Sequence, residues 1–384
     1  MRTATSAFGG TKKIYFAHPV AFWLGTVAVS VGVLLHVPMF TGASGDGYKL
    51  VGMQISGLML LGMALILAGF VLTYIGLAPR ITHRASESHL KVQAFDDAKL
   101  RPAHYRLIAV LLVAIAVDTL KPFTFAFIIP GVTLEYGLRS ATHPAPGALP
   151  VALWPFVAIT GTAIGSFLWG YLADRIGRRA TVLMGAIIFI GTAICSFMPT
   201  FGLNILMCFI MGLGVGGLLP IAYSLLTETI PARNRGMIVV LVAGVGTALG
   251  FLLASGAAGW LIPHYSWRIM WFLGLPTGLI LILLNRWIPE SPRYLLANGR
   301  DAEAQEVMAE FGVTTVEVVD RSAEDVIQSE LHGQGFGRVF RAPFSGLTIA
   351  LVIYGLAWGL VNFGFIVWLP AKLGAEGLTA THVT

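Results

Sequence analysis

Apolar residues run in long unbroken stretches along this chain, separated by short polar turns and by two longer polar segments. A membrane-crossing helix needs about 20 apolar residues at ~1.5 Å rise each. The stretches 20–40, 51–74, 107–130, 151–172, 181–198, 203–226, 237–262, 267–284 and 347–369 reach that length. The first follows Lys12 and Lys13 as a signal peptide would, yet it exceeds a signal-peptide core and no small-residue cleavage site follows Phe40, which predicts a retained helix. The polar segment 79–105, with His83, Glu87, Asp96 and Asp97, reads as a cytoplasmic linker that separates a two-span hairpin, 1–78, from a six-span unit, 106–288. The second polar segment, 289–343, predicts a cytoplasmic helical insert, because Ala302, Val307, Ala309 and Phe311 alternate with Glu303, Glu306 and Glu310. A last span occupies 344–384.

Composition turns this pattern into a class. Of the 384 residues, 56% are hydrophobic and only 11% charged, against roughly 25% charged in soluble domains. A surface so poor in charge must face lipid, so the sequence predicts an all-α, multi-pass membrane protein. Most of the 25 Lys and Arg residues fall on one side if the N-terminus is cytoplasmic, among them Lys12, Lys13, Arg80, Arg84, Lys91, Arg175, Arg233, Arg286 and Arg321, whereas Lys49, Arg139, Arg268 and Lys372 fall outside. The positive-inside rule thus sets the orientation, with a plasma (inner) membrane expected. The net charge of +6 is explained by this topology, and no nucleic-acid partner is implied. Cys195 and Cys208 lie in apolar runs without metal-site spacing, so neither a disulfide framework nor a metal is expected.

Three motifs carry chemistry. Gly170-Tyr-Leu-Ala-Asp174-Arg175-Ile-Gly177-Arg178-Arg179 falls in the short turn between the fourth and fifth stretches. There Gly170 would admit a neighbouring helix, Gly177 would permit a tight turn, Asp174 would accept from a helix N-terminus, and the arginines would stay at the anionic leaflet. Glu228-Thr-Ile-Pro231-Ala-Arg-Asn-Arg235-Gly236 follows the sixth stretch, and Pro289-Glu290-Ser291-Pro292-Arg293-Tyr294-Leu295 follows the eighth.

In residues and order these motifs resemble the signature segments of the major facilitator superfamily, in its metabolite-proton symporter and sugar-porter branches, over about 107–384. The resemblance implies alternating access about a midplane site, a gating role for the 170–179 loop, and a cytoplasmic salt-bridge network of Glu228, Arg235, Glu290 and Arg293. It also implies two six-span halves, of which this chain supplies the first half and the first span of the second, ending in Trp368-Leu369-Pro370. On that count the chain is expected to be a fragment or a gene cut short, preceded by a two-helix hairpin that packs against the carrier or a partner protein.

Ionisable residues within a span cost about 2.5–3.5 kcal/mol each at a helix centre and mark function by default. Asp118 and Lys121 are a charged pair three residues apart, on one helix face, where they can neutralise each other. Asp118-Thr-Leu-Lys121 resembles the Asp-x-x-Asp segment of aromatic-acid proton symporters with a Lys in the second place. In Leu206-Met-Cys208-Phe-Ile-Met-Gly212, Cys208 stands where the family commonly has an Arg tied to proton coupling. Lys121 is therefore expected to hold an anionic substrate and Asp118 to carry a proton, with Tyr223 and Asn362 as further candidates for hydrogen bonding to substrate.

Other functions are disfavoured. Phe251 replaces the Pro of the Gly-Pro step of drug antiporters after Gly250, and the fifth and seventh carrier spans lack the glutamines of sugar binding, which leaves sugar as the alternative substrate class. His18 and His36 stand about 27 Å apart along a helix, too far to share one haem. No Gly-x-x-x-x-Gly-Lys-Ser/Thr loop occurs, and no nucleophile, base and oxyanion set assembles, so neither ATP-driven pumping nor an enzyme, nor any cofactor, is expected. The expected function is secondary transport of a small polar or anionic metabolite, carboxylates included, coupled to protons. The rival is a non-transporting membrane subunit or sensor.

Overall fold

The computed structural model describes residues 16–77, 99–313 and 339–378. The cytoplasmic assignments of 79–98 and 314–338, with Arg80, Arg84, Lys91 and Arg321, and that of Lys12 and Lys13, lie outside the described residues. Among the described residues the chain is helical, and nine helical segments are long and apolar enough to cross a membrane. We number the helices α1 (Pro19–Leu34), α2 (Gly57–Leu77), α3 (Pro102–Glu135), α4 (Leu153–Ile176), α5 (Arg178–Gly191), α6 (Phe201–Thr229), α7 (Ala232–Tyr265), α8 (Gly274–Leu284), α9 (Pro292–Ala297), α10 (Asp301–Glu310), α11 (Ser345–Gly359) and α12 (Leu369–Ala375).

Several boundaries differ from the hydrophobic stretches for local reasons. The first stretch is broken: α1 stops at Leu34, and Pro38 starts a separate short helix, Val37–Gly42. Helix α3 is longer than its apolar run, beginning at Pro102, where proline suits a first turn. Arg101 and His104 form its capping box, and the His104 ring meets the edge of Phe311 after α10. Helix α5 tightens into a 3-10 stretch at Thr192–Phe197, and α11 widens into a π-type stretch at Leu360–Ile366.

Helix pairs α4 with α6, α3 with α7, and α5 with α8 form the six-span body. The hairpin α1–α2 is a tight unit because small residues face each other: a Cβ on Gly32 would lie 2.6 Å from the Gly62 carbonyl oxygen. It docks onto α5, where Phe70 and Ile66 occupy the space beside Gly191 and His36 stacks on Phe197. Enclosed by the hairpin, α6 and α8, the segment Arg178–Phe197 is almost wholly buried. By contrast α11 buries none of its residues, and this last span meets the body chiefly through α12 against α3.

Candidate functional site

At mid-depth of α3, Asp118 and Lys121 are both buried, although they do not close into a salt bridge. The i, i+3 spacing allows a pair, yet the longer Lys121 side chain reaches across to α5, where Nζ donates to Thr192 Oγ1 at 2.9 Å and to the Phe189 carbonyl at 3.2 Å. Its ammonium also sits 4.4 Å from the Phe189 ring centre. These partners lie where α5 changes to 3-10 winding. Both carboxylate oxygens of Asp118 are left without a hydrogen-bond partner among the described residues. The Lys121 ammonium is within electrostatic range of Cys195, Asp118 and Cys208. Lys121 on α3 thus brings a cation to the neighbourhood of Cys208 on α6.

Tyr223, half-buried on α6, lies within electrostatic range of Asp118 and of Tyr354 on α11. Asn362 is not brought to this cluster by any contact among the described residues. Its amide donates to the Trp358 carbonyl at 2.9 Å, one turn back on its own helix, inside the π-type stretch.

The 170–179, 228–236 and 289–295 motifs converge on one cluster with a different division of roles from the expected one. Gly177 sits at φ +98, and a Cβ there would strike the Glu290 carboxylate and the Tyr294 ring, so only glycine fits this turn. A Cβ on Gly170 would meet open space, so no helix approaches it among the described residues. Asp174 remains on the exposed side of α4 and pairs with Arg178 Nη1 at 3.1 Å, across the Gly177 turn at the start of α5. The N-terminus of α5 is instead met by Glu290, whose Oε1 accepts from the backbone N–H of Arg178 at 2.8 Å and of Arg179 at 3.4 Å. Burial pushes the Glu290 carboxyl above the usual range, while the N–H groups of Ser291, Arg178 and Arg179 and the Arg178 charge pull the other way.

Arg178 Nη2 reaches Glu228 at 3.4 Å, and Glu228 also accepts from Ser224 and Ser291. Arg179 Nε donates to Asn285 Oδ1 at 2.9 Å, and Arg175 stacks on Tyr171 while its carbonyl accepts from Tyr294. Arg235 Nε donates to the Ile230 carbonyl at 3.1 Å. Arg293 is exposed, with no hydrogen-bond or ion-pair partner among the described residues, because the buried face of short α9 is taken by Tyr294, Leu295 and Leu296. Glu228 and Glu290 thus join through Arg178 and Ser291.

A third cluster at the opposite end of the bundle has no counterpart in the sequence reading. Arg268, counted there as an outer-loop cation, is fully buried. Its Nη2 lies 2.7 Å from Glu135 Oε1, its Nε bonds the same carboxylate, and its Nη1 donates to the carbonyls of Ser196 and Met198. Glu135 also accepts from Trp267 Nε1 and from the backbone N–H of Leu50 in the hairpin loop. The apolar setting of Arg268, between Trp267 and Ile269-Met-Trp-Phe, was the available signal that it needs a buried acid.

Residues 142–363 match the sugar (and other) transporter family. The chain is 30% identical over 298 residues to the niacin transporter NiaP of Acinetobacter baylyi, covering 76% of this chain and 64% of that protein. It is 28% identical over 304 residues to the 4-hydroxybenzoate transporter PcaK of the same organism, covering 77% and 64%. The chain therefore spans less than two thirds of the length of these relatives. Its fold matches the partially occluded, inward-open xylose transporter XylE from E. coli with a TM-score of 0.56 at 18% identity, over 73% of this chain and 68% of that one. These proteins are transporters rather than enzymes. The chain belongs to the sugar (and other) transporter family and has the major-facilitator fold.

Proposed function

We propose that this protein is a secondary transporter of small organic carboxylates, coupled to protons and working by alternating access in a plasma membrane with its N-terminus cytoplasmic. The observation that carries this reading is the buried Asp118 carboxylate with neither oxygen hydrogen-bonded, one helical turn from the Lys121 ammonium. A carboxyl at this depth must hold a proton or be met by a cation or donors. Lys121 is held by a neutral carbonyl and a hydroxyl, partners that an anionic substrate can displace. A substrate carboxylate entering from the Tyr223 side would draw the Lys121 ammonium to itself and leave the Asp118 charge to a proton. Substrate and proton then cross together, and release of either favours release of the other.

The names of relatives support a small ring-bearing acid, since niacin and 4-hydroxybenzoate transporters are among them. A sugar is less well served, because α7 offers no glutamine. The Asp174, Arg178, Glu228 and Glu290 cluster is assigned to holding the cytoplasmic side closed, as its ion pairs tie α4, α5 and α6 together and its hydrogen bonds add the α9 segment. Proteoliposomes containing the full-length protein test the proposal: an inward proton gradient should drive accumulation of labelled nicotinate or 4-hydroxybenzoate, and a protonophore should abolish it. Absence of any gradient-driven uptake of ring-bearing carboxylates would overturn it in favour of the sensor reading.

A further inference from the structure

At the end of the bundle opposite the 170–179 loop, a cavity of about 550 Å³ opens between α3, α7 and α12. Phe127, Ile262, Trp267 and Pro370 give it apolar walls, and Lys49, from the loop joining α1 to α2, stands at its edge. Glu135 also lines it, but its charge is taken by Arg268 and Trp267. Lys49 is exposed and has no hydrogen-bond or ion-pair partner among the described residues. The loop that carries it is fixed in place: the N–H of Leu50 bonds Glu135 at 2.8 Å, and Tyr48 stacks on Phe40 with ring centres 4.7 Å apart.

We propose that this cavity is an outer capture site for organic anions and that the hairpin contributes its recognition cation, Lys49. The inference rests on the carboxylate-transport reading and gives the hairpin a part in it. An unpaired cation over apolar walls suits a molecule with one carboxylate and an apolar body, and suits an inorganic anion or a sugar poorly. Such a charge at a mouth raises local anion concentration and capture rate, an effect that salt screens. Capture lowers KM and leaves turnover to the midplane site.

Uptake of 4-hydroxybenzoate by the full-length protein in proteoliposomes tests this, comparing Lys49→Glu, Lys49→Ala and Lys49→Arg with the parent at low and high salt. Lys49→Glu should raise KM by about tenfold at low salt with kcat nearly unchanged, the difference should shrink towards high salt, and Lys49→Arg should behave as the parent. A KM for Lys49→Glu within about twofold of the parent at every salt concentration, with normal parental uptake, would overturn the capture site alone. A parent that takes up no carboxylate overturns both this inference and the transport reading.

Discussion

Glu290 Oε1 lies 2.8 Å from the backbone nitrogen of Arg178 and so closes the N-terminus of α5 from a segment 112 residues further along the chain. The contact places a negative charge at the positive end of the helix and holds the α9 segment against the Gly177 turn. Burial raises the Glu290 carboxyl above the value of the unfolded chain, so the folded state binds this proton more readily. The sign follows: as pH falls through the raised folded value toward the unfolded one, Glu290 adds stability relative to neutral pH. Thermal unfolding in detergent should therefore show the parent gaining on Glu290→Gln as pH falls from about 7.5 to about 5. A constant difference in Tm across that range would refute the assignment.

The buried pair of Arg268 and Glu135 gives the largest expected loss of stability. Arg268 is fully buried and Glu135 nearly so, and removing one member of such a pair costs about 3–5 kcal/mol because the other charge is left buried and unpaired. Arg268→Met should lower the folded yield and Tm sharply, and Arg268→Met with Glu135→Gln should recover a good part of the loss. An additive double variant would show that the two side chains do not interact.

How much of this was legible in the sequence depends on the kind of residue. Membrane helices announce themselves through long apolar runs, because a helix satisfies its own backbone in lipid and presents apolar side chains all round. The Gly177 turn and the charged residues of the motifs were equally plain. Partner choice was not: Asp174 lies four residues from Arg178, whereas Glu290 lies 112 residues away along a path no local pattern encodes, so the local acid was expected at the N-terminus of α5 where the remote one stands. Lys121 illustrates the same difficulty inside the membrane, since helical spacing brought it within reach of Asp118 but not the Thr192 hydroxyl on another helix. The burial of Arg268 was hidden because it follows an outer turn and counts as a loop cation until Glu135 is seen beside it.

Asp174 tests the gating assignment separately from binding. Its side chain is largely exposed and, among the described residues, pairs with Arg178, so Asp174→Asn should leave Tm within a degree or two (about 0.5 kcal/mol for an exposed pair). Transport should slow several-fold at unchanged substrate affinity, because the change acts on the exchange between conformations. Equilibrium binding and initial uptake rates on the same preparation decide the matter, and a loss of affinity at normal turnover would contradict it.

Orientation can be read by chemical labelling. Cysteines placed at the exposed Thr142 and Asn298 should report opposite faces, in a background where buried Cys195 and Cys208 are replaced. An impermeant thiol reagent applied to intact cells should modify the first and spare the second until the membrane is opened. The reverse pattern would invert the proposed topology.

The central claim is that Asp118 carries the proton. Asp118→Asn removes the titrating group and keeps its size, and the same vesicles can be assayed for proton-driven accumulation of 4-hydroxybenzoate and for exchange of labelled against unlabelled substrate at equal pH. The account predicts that accumulation is lost while exchange continues, because an uncharged side chain still permits the loaded protein to reorient. Proton-driven accumulation by a folded Asp118→Asn protein at the parental level would contradict it.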